Sequence, residues 1–79
     1  MVDMYVLVNC DFGRTEEIAS ELRKINQVEE THILSGLNDI IVKLSGPSTR
    51  ILEYVYFKIM HIAGIKSILT LVGYAKNGF

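Results

Sequence analysis

Val28 to Leu44 reads VEETHILSGLNDIIVKL. Val28 to Ser35 carries β-branched and apolar residues between charged ones, the pattern of a strand near a sheet edge. Gly36-Leu37-Asn38-Asp39 is a turn with strong turn formers, and Ile40 to Leu44 is an apolar strand. Two strands around a short Gly/Asn/Asp turn predict a β-hairpin at the centre of the chain.

The flanks on either side of this hairpin match each other. Upstream, Met4 to Cys10 (MYVLVNC) reads as a strand covered on both sides, and Asp11 to Arg14 as the turn after it. Thr15 is the expected N-cap of a helix of about three turns, in which Ile18, Ala19, Leu22 and Ile25 recur at helical spacing and Asn26-Gln27 end it. Downstream, Ser45 to Ser48 breaks the chain, with Ser48 or Thr49 as cap of a helix from about Thr49 to Ile62. Leu52, Val55, Ile59 and Ile62 make one stripe of that helix; Tyr54, Phe57 and His61 make a second. Gly64 closes it, and Ile65 to Tyr74 is the last and longest strand. The tail Ala75 to Phe79 is expected to fray, with Phe79 free to dock on a neighbour.

The order is therefore β-α-β-β-α-β. Right-handed crossovers put both helices on one face of a four-stranded antiparallel sheet, an α+β sandwich of ferredoxin-like topology. If Ile40, Val42 and Leu44 face the helices, Ile41 and Lys43 face away, and Leu69 and Leu71 oppose Ile68, Thr70 and Val72 in the same manner. A sheet face that is apolar and lacks helices must pack on something. A second copy is the simplest partner, as in dimeric α+β barrels. Composition agrees. A chain of 79 residues has a marginal core, yet 49% of its residues are hydrophobic.

Several function classes are disfavoured. Net charge is −1 with no basic run, so the footprint of nucleic-acid binding is missing. The single cysteine, Cys10, supports neither a disulfide framework nor a zinc cluster and fits a reducing, cytoplasmic compartment. No apolar run reaches the ~20 residues needed to span a bilayer. His32 and His61 lie on different elements without a third ligand, so neither metal nor cofactor is expected.

Two segments carry a family resemblance. VEETHILSGLNDIIVK, Val28 to Lys43, resembles the central hairpin of the effector-binding domain of the leucine- and asparagine-responsive regulators, the Lrp/AsnC family. IAGIKSILTLV, Ile62 to Val72, resembles that domain's Ile-Pro-Gly-Val turn and Thr-rich last strand. The resemblance implies one domain over 1–79, of the stand-alone type best known from archaea, without the usual helix-turn-helix. It further implies a non-enzymatic domain that binds a small amino acid in clefts between dimers. Those dimers join sheet to sheet and assemble into rings, often octamers, alone or with full-length regulators of the family. Three positions depart from the pattern: Asn38 replaces an aromatic, Ile68 a threonine and Ala63 a proline.

The candidate ligand residues are Gly36, Leu37, Asn38, Asp39, Ser67, Ile68 and Thr70. Asp39 can pair an ammonium, and backbone N–H groups of a Gly turn can hold a carboxylate; the plainer reading is a turn with Asp39 as its cap. Thr70, taken as facing away from the helices, has a hydroxyl for either ligand group, or is simply a good strand former. Cys10 beside Asp11 reads as a small buried hydrophobe rather than a nucleophile. The Tyr54, Tyr56, Phe57 and Met60 group reads as subunit contact. Two alternatives to a sensor stand. One is a monooxygenase-like dimeric α+β barrel enzyme, for which Asn9, His32 and Asn38 are the only hints. The other is a purely structural oligomerisation module.

Overall fold

The computed structural model describes residues 1–74, with side chains through Leu71. The elements are β1 (Val2–Cys10), α1 (Thr15–Arg23), β2 (Val28–Ile33), β3 (Ile40–Gly46), α2 (Thr49–Met60) and β4 (Ile65–Tyr74). All strand neighbours are antiparallel, in the order β2-β3-β1-β4. This is the predicted βαββαβ sandwich. The predicted docking of Phe79 lies outside the described residues.

Alternation along the two central strands sets the layers. Val2, Met4, Val6, Val8 and Cys10 of β1 and Ile40, Val42 and Leu44 of β3 are buried. They share one core with Ile18, Ala19 and Leu22 of α1 and Leu52, Val55 and Ile59 of α2. Every second residue of a strand points to the same side, so one face of the sheet carries both helices. The intervening residues, Tyr5, Leu7, Ile41 and Lys43, point to the uncovered face, as the period of two requires.

Local chemistry explains most element ends. Ser48 caps α2, its hydroxyl accepting from the Ile51 N–H at 3.4 Å. Gly64, at φ +96°, turns the chain from α2 into β4 in a conformation that a Cβ would oppose. Thr15 is not the cap of α1. That position falls to Arg14, without a side-chain cap; its guanidinium instead pairs with Glu17 at 2.9 Å. The first helix is also shorter than predicted, stopping at Arg23, and β2 stops at Ile33 rather than Ser35. In both cases the apolar residues at the end, Ile25 and Leu34, belong to turns fastened by backbone bonds: Ile25 N–H to Leu22 O at 3.2 Å and Leu34 N–H to Asp39 O at 2.7 Å.

Leu22 is fully buried at the junction of α1 and the sheet. Leu22→Ala is expected to lower unfolding free energy by about 2–5 kcal/mol, the usual range for a large-to-small core change. Urea denaturation followed by far-UV circular dichroism checks this.

Candidate functional site

The Gly36–Asp39 loop sits where β3 begins beside the end of β1. Gly36 has φ +120° with open space around it, and Leu37 is 96% exposed. Asn38 and Asp39 are half-buried. Asp39 is tied to β1 on either side of Asn9. Its N–H donates to the Val8 carbonyl at 3.1 Å, and its Oδ2 accepts the Cys10 N–H at 2.8 Å. One carboxylate oxygen is therefore committed to the fold, but across to β1 and not within its own turn, as the plainer reading had it. Asp39 forms no ion pair among the described residues.

The strand end next to it is polar. Asn9 Nδ2 donates to Ser67 Oγ at 3.1 Å, across the β1–β4 pair in which Asn9 faces Ser67. Ser67 thus lies at the same end of the sheet as Asp39, with β1 between them, whereas the other two β4 candidates point elsewhere. Ile68 pairs with Val8 and packs against the core. Thr70 pairs with the fully buried Val6, so it faces the helices and not the open side as expected, and its Oγ1 is buried without a partner.

Cys10 is buried and free. Burial pushes its thiol above the ordinary value; the nearby Asp39 carboxylate adds to this and Asp11 contributes less, while a hydrogen bond with the Thr15 side chain works the other way. The dominant acid is Asp39, brought near by the register, rather than the sequence neighbour Asp11. Such a thiol is protonated at neutral pH and inert.

The uncovered face is graded from one edge to the other. Directly opposed residues form the rows His32–Ile41–Leu7–Leu69 and Glu30–Lys43–Tyr5–Leu71 from β2 to β4. The β2 side is charged: Lys43 Nζ lies 3.0 Å from Glu29 and His32 Nε2 3.0 Å from Glu30. The hydrogen bond from His32 holds the Glu30 carboxyl below its ordinary value, with Lys43 helping. Toward β4 the face is bare and apolar, with Leu69 57% and Leu71 54% exposed. On the outer side of α2, Tyr54 and Phe57 are exposed as well, Lys58 sits over the Tyr54 ring, and His61 donates from Nδ1 to the Phe57 carbonyl at 2.7 Å.

A cavity of about 340 Å³ lies elsewhere, between α1 and the turn before β4, lined by Arg14, Glu17, Ile18, Glu21, Ile62 and Ala63. Sequence patterning marks the charged members only as the polar face of an amphipathic helix, so nothing in it flags a concavity. Among the described residues no group of three His, Cys, Asp or Glu could hold a metal ion, and no helix is long and apolar enough to cross a membrane.

The molecule is a small α+β domain with one filled sheet face, one bare apolar face and a polar Gly-Asp loop at one end of the sheet. The family model of the Lrp/AsnC ligand binding domain matches residues 3–74, and the chain belongs to that family. Solved structures share its fold. TTHA0845 from Thermus thermophilus superposes with TM-score 0.91 at 19% identity over 100% of both chains. AsnC of E. coli superposes with TM-score 0.86 at 21% identity, over 99% of this chain but 54% of that one. The transcriptional regulator NMB0573 of Neisseria meningitidis, solved as an L-Met complex, gives TM-score 0.79 at 14% identity over 99% of this chain and 53% of that one. The chain thus spans about half the length of the two regulators. No curated protein matches it in sequence.

The bond from Cys10 N–H to Asp39 gives the loop a testable structural weight. Asp39→Ala is expected to cost about 1.5–3 kcal/mol, as for a hydrogen bond to a charged group, whereas Asp39→Asn keeps an acceptor and costs less. Chemical denaturation of the two variants side by side checks the difference.

Proposed function

We propose that this chain is a non-enzymatic, single-domain sensor of a small amino acid that works as an assembly of copies joined through the open sheet face. The observation that carries the reading is that face. Tyr5, Leu7, Ile41, Leu69 and Leu71 form a continuous apolar surface that no part of the described chain covers. Water contact with such a surface is unfavourable in proportion to its area, so a second sheet laid over it gains what the chain's own helices leave unburied. The patch centres on β1 and β4, with the Glu30–His32–Lys43 charges at its rim, which is how subunit interfaces are arranged.

The ligand belongs at the boundary between subunits. Gly36, Leu37, Asn38 and Asp39 form the loop at one end of the sheet, with Ser67 at the same end across β1. Asp39 keeps an unpaired negative charge for the effector's ammonium, and the open Gly36 loop offers backbone N–H groups to its carboxylate. Family membership supports a ligand-binding role, and the Neisseria regulator, which shares this fold, was solved in complex with L-Met. A ligand touching two subunits favours the assembly that brings them together, which is the means of regulation by copies of this chain or by full-length relatives in the cytoplasm. Two observations weigh against the enzyme alternative. His32 lies on the uncovered face, and the space between sheet and helices is filled by side chains such as Met4, Ile18, Leu22 and Ile59.

A purely structural oligomerisation module is the second reading, favoured by the commitment of Asp39 Oδ2 to the Cys10 N–H. Calorimetry of the native chain, Asp39→Asn and Leu69→Glu against the twenty amino acids separates the two. A sensor gives heat with at least one amino acid. It loses most of that heat in Asp39→Asn, which keeps the fold, and in Leu69→Glu, which splits the assembly. Absence of heat with every amino acid refutes sensing and leaves the structural module.

A further inference from the structure

The outer side of α2 plays no part in the proposed function. Tyr54 is 62% and Phe57 58% exposed, with Ile51 and Met60 open to solvent at the flanks, and no described residue covers them. The other helix differs. Its outward positions, Glu16, Glu17, Ser20, Glu21 and Lys24, are all polar. Aromatic area turned to water on one of two helices marks a contact surface rather than a general property of the layer.

The polar groups beside these rings are ordered in a way that fits a second copy. Glu53, Phe57 and His61 lie four residues apart, so they form one ridge along the exposed side of the helix. Glu53 and His61 therefore stand one turn on either side of Phe57. Glu53 has no hydrogen bond or ion pair among the described residues. His61 donates from Nδ1 to the Phe57 carbonyl at 2.7 Å, and the Phe57 ring meets the imidazole edge-on at 4.9 Å. Its Nε2 has no partner among the described residues.

We propose that this ridge is a homotypic interface, in which α2 of a second copy packs antiparallel about a two-fold axis through Phe57. Reversing the ridge about Phe57 brings Glu53 of each copy opposite the partner subunit's His61, so both pairs form at once. The two Phe57 rings meet at the centre, where ring contact adds to the burial of area. Ridges of residues four apart interdigitate in this manner at a crossing angle of about −50°. Arg50 and Lys58 stay at the rim, with Lys58 over the Tyr54 ring at 4.9 Å. The contact uses the helix side of the domain, away from the open sheet face, and does not rest on the proposed function.

The pair also sets a condition on pH. Nδ1 must keep its proton to donate to the carbonyl, so in the neutral ring Nε2 has none to give. A carboxylate is met there only by the charged ring, a form that the C-terminal end of α2 also favours. The other charged groups around His61 are Lys58 on α2 and, across the groove that Ile62 and Ala63 line, Arg14, Glu17 and Glu21 of α1; none of them pairs with it. The contact is therefore present on the acid side and is lost as the pH rises through the range in which imidazole discharges.

The test is sedimentation of the full chain at about pH 5.5 and about pH 8, on either side of the imidazole range. The mass at the higher pH reports the open sheet face alone, and the gain on acidification reports α2. The native chain is expected at least to double its mass in acid. Glu53→Lys and His61→Glu each set like charges against each other and are expected to lose that gain. The double variant Glu53→Lys/His61→Glu exchanges the two charges and is expected to hold the larger mass at both pH values. Phe57→Ser, at the axis, reduces the gain without altering either member of the pair. Far-UV circular dichroism checks that each variant is folded. Three results overturn the proposal: an unchanged native mass, a double variant that stays at the smaller mass, or a gain that persists in both single variants. General association near the isoelectric point of about 6.0 would give the last of these. A protomer mass at about pH 8 counts against the open-face assembly, whereas the gain in acid is read independently of it.

Discussion

The alternation of β1 between a filled side and a bare side is the constraint on which the rest of the molecule depends. Val2, Met4, Val6, Val8 and Cys10 take one side and are buried by two helices. Tyr5 and Leu7 take the other and are left to the solvent side of the sheet together with Ile41, Leu69 and Leu71. A slip of one residue would exchange the two sets, so the register of β1 with β3 and β4 is strongly specified. The helices cannot serve both faces. A domain of this size therefore has one complete hydrophobic layer and one half of another.

The polar groups are organised around that asymmetry. On the β2 side the open face carries Lys43 between Glu29 and Glu30, with His32 on Glu30, which keeps that edge wet. At the end of the sheet, Asp39 holds the start of β3 to β1 through the Cys10 N–H, while Asn9 and Ser67 tie β1 to β4. The loop proposed to meet a ligand is thus anchored to the central strand. On the helix side of the same end, the bond from Asp11 to Gly64 gives the groove beside Arg14 its fixed walls.

Most of the architecture was legible in the sequence because it rests on periodicity. The period of IIVKL separates Ile40, Val42 and Leu44 from Ile41 and Lys43, and the structure puts the first set in the core and the second on the open face. Ser48 or Thr49 as the cap of α2 follows from side-chain chemistry alone, and the structure takes Ser48. Properties set by two elements at once were hidden. Thr70 was assigned the wrong side of the sheet because its face depends on pairing with Val6, which no local pattern reveals. The acid nearest in effect to Cys10 is Asp39, far along the chain. Arg14 has no sequence signal as a groove residue, since its position comes from Gly64 across the turn. Candidate loop residues were legible as a turn, but the commitment of one Asp39 oxygen to the backbone was not.

The central claim is that the open face is a subunit interface. Sedimentation equilibrium of the native, unliganded chain over a wide concentration range tests it most directly. The account predicts a mass of twice the 8.9 kDa protomer or a higher multiple at micromolar concentration. A single species at the protomer mass throughout that range, with Leu69 and Leu71 in contact with water, would contradict it.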